Sequence, residues 1–226
     1  YLTQMMQATQ RGLPDGATTV SPEVSAFGAF LSEHLNWSLD IKKLWSASVC
    51  NYAYWWEILQ QATDKSLLLG QDNFFVHLPR DKITLRIQEQ DLVFDICRIV
   101  AASMTCSTPL EVSCPPEISG SAEQRGWVAH FSTLSGITCV TESHSVFLER
   151  LKVGPIARVR LASKAAPSIL QAAAQRGIHV AYAPVLTSGR LELLHYVREV
   201  SLSHDYHRYG NLGLREGEAR VGPPSF

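Results

Sequence analysis

The chain has 226 residues, and its 46% hydrophobic content is enough to bury a substantial core. Its 20 basic and 21 acidic residues nearly cancel, which argues against nucleic acid or an anionic membrane as a partner. The apolar runs are far shorter than the roughly 20 residues of a membrane-spanning helix, so no such segment is expected. The chain starts at Tyr1 without a secretory pattern, and we interpret it as a piece of a longer cytoplasmic protein.

The first part of the chain is rich in turn-forming residues. Residues 1–20 are therefore predicted to be a linker from an upstream catalytic domain. Ser21 followed by Pro22 is a typical helix start, because serine caps the first turn and proline fits its first position. Apolar residues at helical spacing follow this start, which predicts the first helix of the chain.

A second helix is predicted from about Ser38 to Ala62. Four of the five tryptophans lie in the range Trp37–Trp56. Aromatic residues at helical spacing favour a buried stripe, with an interface as the alternative. Residues 21–69 are accordingly predicted to form a helical segment.

A β-α-β unit is the clearest pattern in the chain. Apolar and polar residues alternate over Ile83–Ile87, which predicts a strand with one face directed inward. Apolar residues then recur at helical spacing over Leu92–Met104, where Asp91 is placed to cap the first turn. Leu110–Cys114 predicts the next strand. A crossover of this length places two parallel strands in one sheet.

The alternation of predicted strands and helices continues after a region of weaker patterns that begins at Ile118. Helices are predicted at 122–134, 145–151, 167–176 and 189–196, and strands at 137–140, 156–162, 178–183 and 197–203. Gly177 stands where a left-handed residue ends a helix. The fold class is α/β, with a Rossmann-like, mostly parallel sheet and flanking helices over residues 70–205, preceded by the helical segment. Residues 206–226 form a C-terminal tail.

The phosphate-binding fingerprint of a dinucleotide fold is missing from this unit. Where it belongs, the chain has Gln88-Glu89-Gln90-Asp91 without glycine. Carboxylates at a helix N-terminus repel a phosphate, whereas as caps they stabilise the helix. The pattern therefore predicts that no nucleotide cofactor is bound here.

Other reactive side chains give no convincing site. Cys106 and Cys139 lack a setting that would activate a thiol, and all five cysteines are expected to be reduced packing residues. His204 and His207 are three residues apart and could serve as a metal pair on a helix, but the sequence fixes no third ligand. No catalytic or metal-binding residue is predicted.

The segment Phe74–Glu117 resembles the start of the nucleotide-binding domain in the aldehyde dehydrogenase superfamily. In that superfamily the second strand ends in Lys-Pro-x-Glu, and the lysine contacts the nicotinamide cofactor. The counterpart here is Ser113-Cys114-Pro115-Pro116-Glu117, which has no lysine at that position.

The C-terminal part, Gly189–Ser203 followed by His207–Asn211, is similar to the C-terminus of the proline utilization A family. The resemblance implies a bifunctional parent enzyme that oxidises proline to glutamate through pyrroline-5-carboxylate and glutamate semialdehyde. It also implies that this chain is its non-catalytic C-terminal domain, a lid or docking domain that supports substrate channelling. FAD and NAD would belong to the parent, whose proline dehydrogenase and aldehyde dehydrogenase domains would be the partners. A homo-oligomer, and peripheral membrane association of the cytoplasmic parent, remain open.

Two sets of candidate contact residues follow from these interpretations. For the docking domain, the expected interdomain contacts are Arg198, Glu199, His207, Arg208, Tyr209, Gly210 and Asn211. The alternative is a stand-alone α/β domain that binds a small molecule or nucleotide at the strand ends after Ile87, Ala162 and Ala183. Its candidate polar contacts are Arg86, Glu117 and Lys164, although a solvated surface position is favoured for each.

Overall fold

The computed structural model describes residues 19–119, 128–207 and 210–218. Its helices include α1 (Pro22–His34), α2 (Leu39–Leu59), α3 (Val93–Thr105), α4 (Pro116–Ser119), α5 (His144–Val153), α6 (Pro167–Ala174) and α7 (Gly189–Glu192). Its strands include β1 (Thr63–Asp64), β2 (Gln71–Pro79), β3 (Ile83–Arg86), β4 (Leu110–Cys114), β5 (Ile137–Thr141), β6 (Arg158–Arg160), β7 (His179–Ala181) and β8 (Val197–Asp205).

Five of these strands form one parallel sheet in the order β5-β4-β3-β6-β7. Ile83 is aligned with Leu110 on one side of β3, and Leu85 with Arg160 on the other. This order, with the chain running outward in both directions from the centre, is that of a doubly wound fold. The predicted Rossmann-like α/β class is confirmed.

The central strand β3 differs from its prediction. Thr84 and Arg86, expected on an outer face, are each 2% exposed, and Ile83 and Leu85 on the opposite face are buried as well. Because a central strand of a parallel sheet is covered on both faces, polar alternation here does not mark a solvent side. The prediction of one inward face is therefore wrong.

Both N-terminal helices pack on the same core as the sheet. The core combines residues of α1 and α2 with residues of β3, α3 and β4. Ser21 and Ser38 cap the two helices, since their hydroxyls accept from the backbone amides of Val24 and Ile41 at 3.3 Å. Trp45 is 7% exposed, in agreement with a buried aromatic stripe.

A second, smaller sheet is antiparallel and has the order β1-β2-β8. β2 and β8 pair over nine residues, from Gln71 opposite Asp205 to Pro79 opposite Val197. β2 was not predicted from the sequence, because Gly70-Gln71-Asp72-Asn73 has the composition of a turn. The structure places Asp72 against Arg215, with Arg215 Nη1 2.7 Å from Asp72 Oδ2, and this pairing allows the carboxylate to lie within a strand.

The remaining predicted elements agree in type with the structure. Gly177 follows α6 with φ +66°, the left-handed conformation expected of it. The predicted helix at 122–134 lies largely outside the described residues, and its described part is helical at 128–131. Across the described ranges, none of the helices has the length and apolar character needed to span a membrane.

Candidate functional site

The carboxyl edge of the parallel sheet, between β3 and β6, is the expected position of a ligand-binding site. The strand order reverses there, and doubly wound folds bind their ligands in the crevice at such a switch point. The loop after β3 carries Gln88 and Asp91, and the loop after β6 carries Ser163 and Lys164.

A side chain bridges the two loops across this crevice. Gln88 Nε2 donates to Ser163 Oγ at 3.1 Å and to the carbonyl oxygen of Lys164 at 3.2 Å. The backbone amide of Gln88 donates to Asp91 Oδ2 at 2.8 Å. The polar groups of the first loop therefore bind protein atoms at the position where a fingerprint loop would present free amides to a pyrophosphate.

The expected cap of α3 is corrected by this geometry. The N-cap of the helix is Leu92 rather than Asp91, and within the described chain no side chain bonds to the helix from that position. Asp91 instead holds the loop by accepting from Gln88. Burial raises the pKa of the Asp91 carboxyl, and the neighbouring carboxylate of Asp95 acts in the same direction. The Asp91 carboxyl group near the helix start opposes the binding of an anion, whereas Asp95 is paired with Arg98.

Beneath the crevice, Glu192 joins β6 to the segment after β7. Its side chain is fully buried and lies 3.0 Å from Arg160 Nη2. Tyr196 donates its hydroxyl hydrogen to Glu192 Oε1 at 2.9 Å, and the amide of Leu186 donates to Oε2 at 3.0 Å. Because each carboxylate oxygen has a protein partner, this cluster holds the fold together and has little capacity left for a ligand.

The three candidate contacts of the stand-alone hypothesis do not converge. Glu117 and Lys164 are exposed, as favoured, whereas Arg86 is buried and that expectation is wrong. Arg86 Nη1 donates to Ser113 Oγ and to the carbonyl of Glu142, each at 2.9 Å. Arg86 is therefore a structural group of the sheet interior.

The nucleophile and metal candidates are also structural where the structure describes them. Burial raises the pKa of the Cys106 thiol, which is fully buried. His207 Nδ1 lies 3.0 Å from the carbonyl oxygen of Gly70, while His204 is exposed on β8. No group of three or more His, Cys, Asp or Glu side chains that could hold a metal occurs in residues 19–119, 128–207 and 210–218.

One face of the small antiparallel sheet is apolar and partly exposed. Along paired strands every second residue shares a face, so one face of β2 and β8 combines Phe74, Val76, Leu78, Val200 and Leu202. We call these five residues the apolar face. Three of them are exposed, 38% for Phe74, 38% for Leu78 and 62% for Leu202, and β8 is also the edge strand of its sheet.

The predicted interdomain contact residues lie at the two ends of β8. Arg198 and Glu199 are near its start, where Glu199 Oε1 is 3.8 Å from His77 Nε2. His207, Gly210 and Asn211 follow its end, and Asn211 Oδ1 accepts from the amide of Gly213 at 2.7 Å. The strand separates the two groups by roughly 25 Å, so they do not form one cluster. Arg208 and Tyr209 lie outside the described residues.

The apolar face was not predicted from the sequence either. The alternation of Phe74, Val76 and Leu78 was a period-two signal for a strand. The adjacent turn-forming residues concealed this signal.

Solved structures of similar fold include proline utilization A and aldehyde dehydrogenase proteins. Proline utilization A from Corynebacterium freiburgense is 20% identical with a TM-score of 0.52, and the match covers 88% of this chain and 16% of that chain. A proline utilization A mutant from Bradyrhizobium japonicum is 14% identical with a TM-score of 0.51, over 79% of this chain and 20% of that chain. Succinic semialdehyde dehydrogenase from Streptococcus pyogenes, solved with NADP+, is 11% identical with a TM-score of 0.51, over 72% of this chain and 40% of that chain.

These similarities define the fold as aldehyde dehydrogenase-like. The chain spans only about a sixth of the first proline utilization A chain and two fifths of the dehydrogenase chain. No protein-family model matches the sequence, and no curated protein is significantly similar to it.

Proposed function

We propose that this chain is the non-catalytic C-terminal domain of a bifunctional enzyme that oxidises proline to glutamate. In this proposal the domain docks on the catalytic domains as a lid that keeps the intermediate inside the enzyme. FAD and NAD are bound by those catalytic domains. The sequence resemblance over Gly189–Asn211 supports the proposal, as does an aldehyde dehydrogenase-like fold that spans a small part of the proline utilization A chains.

The apolar face is the observation that carries the proposal. A sheet face on which Phe74, Leu78 and Leu202 are exposed costs solvation free energy unless another surface covers it. The adjacent edge of β8 is exposed along most of its length, so its backbone groups are accessible to a neighbouring domain. Interfaces between domains of one chain typically bury about 600–1,500 Å² and combine apolar and polar groups.

The crevice between β3 and β6 is bridged by protein side chains, which supports a docking role over a catalytic one. Gln88 ties the loop after β3 to the loop after β6, and Asp91 and Asp95 lie near the start of α3. A domain in this state contributes surface rather than cofactor chemistry.

Substitutions on the two faces of β8 test the proposal in the full-length enzyme. Leu202→Glu places a charge on the apolar face, and Ser201→Glu places the same charge on the opposite face of the same strand. The readout is NADH formation from proline, compared with each half-reaction assayed separately. We expect Leu202→Glu to introduce a lag in NADH formation with both half-reactions unchanged, and Ser201→Glu to behave as the wild type.

Two results would contradict the proposal. One is NADH formation from proline without any lag in the Leu202→Glu enzyme. The other is micromolar binding of NAD+ to the 226-residue chain in isothermal titration calorimetry, which would make the domain a nucleotide-binding module in its own right.

A further inference from the structure

A cavity of about 340 Å³ lies at the amino ends of β3 and β6, at the sheet edge opposite the crevice. Its charged lining residues are Arg80, Asp81, Lys82, Arg158 and Arg198. The small sheet joins the parallel sheet here, and the backbone amide of Arg80 donates to the carbonyl of Tyr196 at 3.1 Å.

The positive charges of this cavity are only partly balanced. Lys82 Nζ is 2.6 Å from Glu111 Oε2, so its charge is neutralised. Arg198 is 4.0 Å from Asp81, whose side chain is 92% exposed, and such an exposed pair contributes little. In the described part of the chain, Arg80 and Arg158 have no carboxylate within 4.0 Å.

The two unpaired arginines have unused donors. Arg158 Nε donates to the carbonyl of His195 at 3.1 Å. Arg80 Nε is buried and has no hydrogen-bond partner among the described residues. Burial, together with the charges of Arg80 and Arg160, lowers the pKa of Arg158 to about 10. Burial also lowers the pKa of His179, and the charges of Arg158 and Arg80 act in the same direction. The two guanidinium groups are close enough to repel each other.

We propose that this cavity binds a small dianion of the phosphate or dicarboxylate class between Arg80 and Arg158, with Arg198 at its rim. A guanidinium group offers paired donors that match the oxygens of either class. The volume is at the lower end of the range for ligand sites, which suits a small metabolite. Arg198 is aligned with Leu78 across β2 and β8, so the cavity borders the apolar face, but titration of the isolated chain measures anion binding without the docked domains.

Calorimetric titration of the 226-residue chain tests the site directly. Sodium phosphate and sodium succinate at pH 7.5 are the two probes, each at an ionic strength held constant with sodium chloride. We expect saturable binding of at least one probe, and the tighter of the two identifies the class. Failure of both probes to bind would overturn the proposal.

Charge-matched variants locate the binding. Arg80→Gln is expected to weaken binding at least tenfold and Arg198→Gln about threefold, since Arg198 is only at the rim. Lys65→Gln removes one positive charge from an exposed position in the turn between β1 and β2, and is expected to bind as the wild type does. Equal weakening by Lys65→Gln would show a general ionic effect and refute the site.

Thermal unfolding separates a binding role of Arg80 from a structural one. Because Arg80→Gln relieves the repulsion with Arg158, the ligand-free melting temperature is expected to stay the same or rise. The rise in melting temperature that phosphate or succinate produces in the wild type is expected to disappear. A lower ligand-free melting temperature with an intact response to the anion would contradict the proposal.

Discussion

Gln88 and Ser163 form a hydrogen bond of 3.1 Å across the switch point of the parallel sheet, from the loop after β3 to the loop after β6. The same Gln88 amide also donates to the carbonyl of Lys164. The crevice that defines ligand sites in this fold class is thus spanned by a side chain of the protein.

Removing this bridge is expected to cost stability without creating a nucleotide site. Gln88→Ala loses two hydrogen bonds and should lower the free energy of unfolding by about 1–2 kcal/mol in urea denaturation. Gln61→Ala, at an exposed position after α2, should change it by less than about 0.5 kcal/mol. NAD+ binding should remain undetectable by calorimetry in Gln88→Ala, because Asp91 still opposes a phosphate and the loop still has no glycine fingerprint. Tight NAD+ binding by this variant would show that the bridge alone closes the site.

The buried pair of Arg160 and Glu192 is expected to dominate the stability of the sheet's carboxyl edge. Glu192→Ala leaves a buried guanidinium without its partner and should lower the free energy of unfolding by about 3–5 kcal/mol. Glu149→Ala breaks the exposed pair with Lys152 and should cost less than about 1 kcal/mol. Urea denaturation of both variants at pH 7 gives the comparison, and similar costs would contradict the structural role of Glu192.

The local patterns of this chain predicted its elements well where the cause was local. Ser21 and Gly177 act through a bond or a backbone angle within a few residues, and the structure confirms both. β3 was misjudged because burial on both faces depends on neighbouring strands and helices. Whether polar side chains at Thr84 and Arg86 face solvent is decided by the position of their strand in the sheet.

The candidate sites depend even more on distant partners. The bridge from Gln88 to Ser163 joins positions 75 residues apart, and no local signal indicates it. β2 was hidden because the carboxylate of Asp72 pairs with Arg215, 143 residues later. The missing fingerprint after β3, by contrast, was visible in the sequence, since it depends on glycines within a few residues.

Acid is expected to destabilise the domain through His195. Burial lowers the pKa of His195 to about 4, against the opposing effect of the Glu192 carboxylate and with the help of the charges of Arg160 and Arg158. The unfolded chain has a histidine pKa near 6.5, so it binds the proton first as the pH falls. The stability from the neutral imidazole is present above about pH 6.5 and is lost between about pH 6.5 and 4, by about 3 kcal/mol.

Unfolding free energies measured at several pH values test this. His195→Gln should show a shallower decline between pH 6.5 and 4 than the wild type. His204→Gln, at an exposed position on β8, should keep the wild-type slope. Equal slopes for the wild type and His195→Gln would contradict the prediction.

Gly189 is expected to be required for the packing of α7 on α2. A Cβ atom at this position would lie 2.5 Å from the carbonyl oxygen of Asn51 and 2.9 Å from Tyr52 Cα, and both are backbone atoms that a rotamer change cannot move. Gly189→Ala should therefore lower the free energy of unfolding by about 1–3 kcal/mol, the usual cost of overpacking. Gly217→Ala is the control, because its Cβ would meet nothing within 4 Å. Urea denaturation checks both variants, and a Gly189→Ala chain as stable as Gly217→Ala would mean that α7 can move away from α2 at little cost.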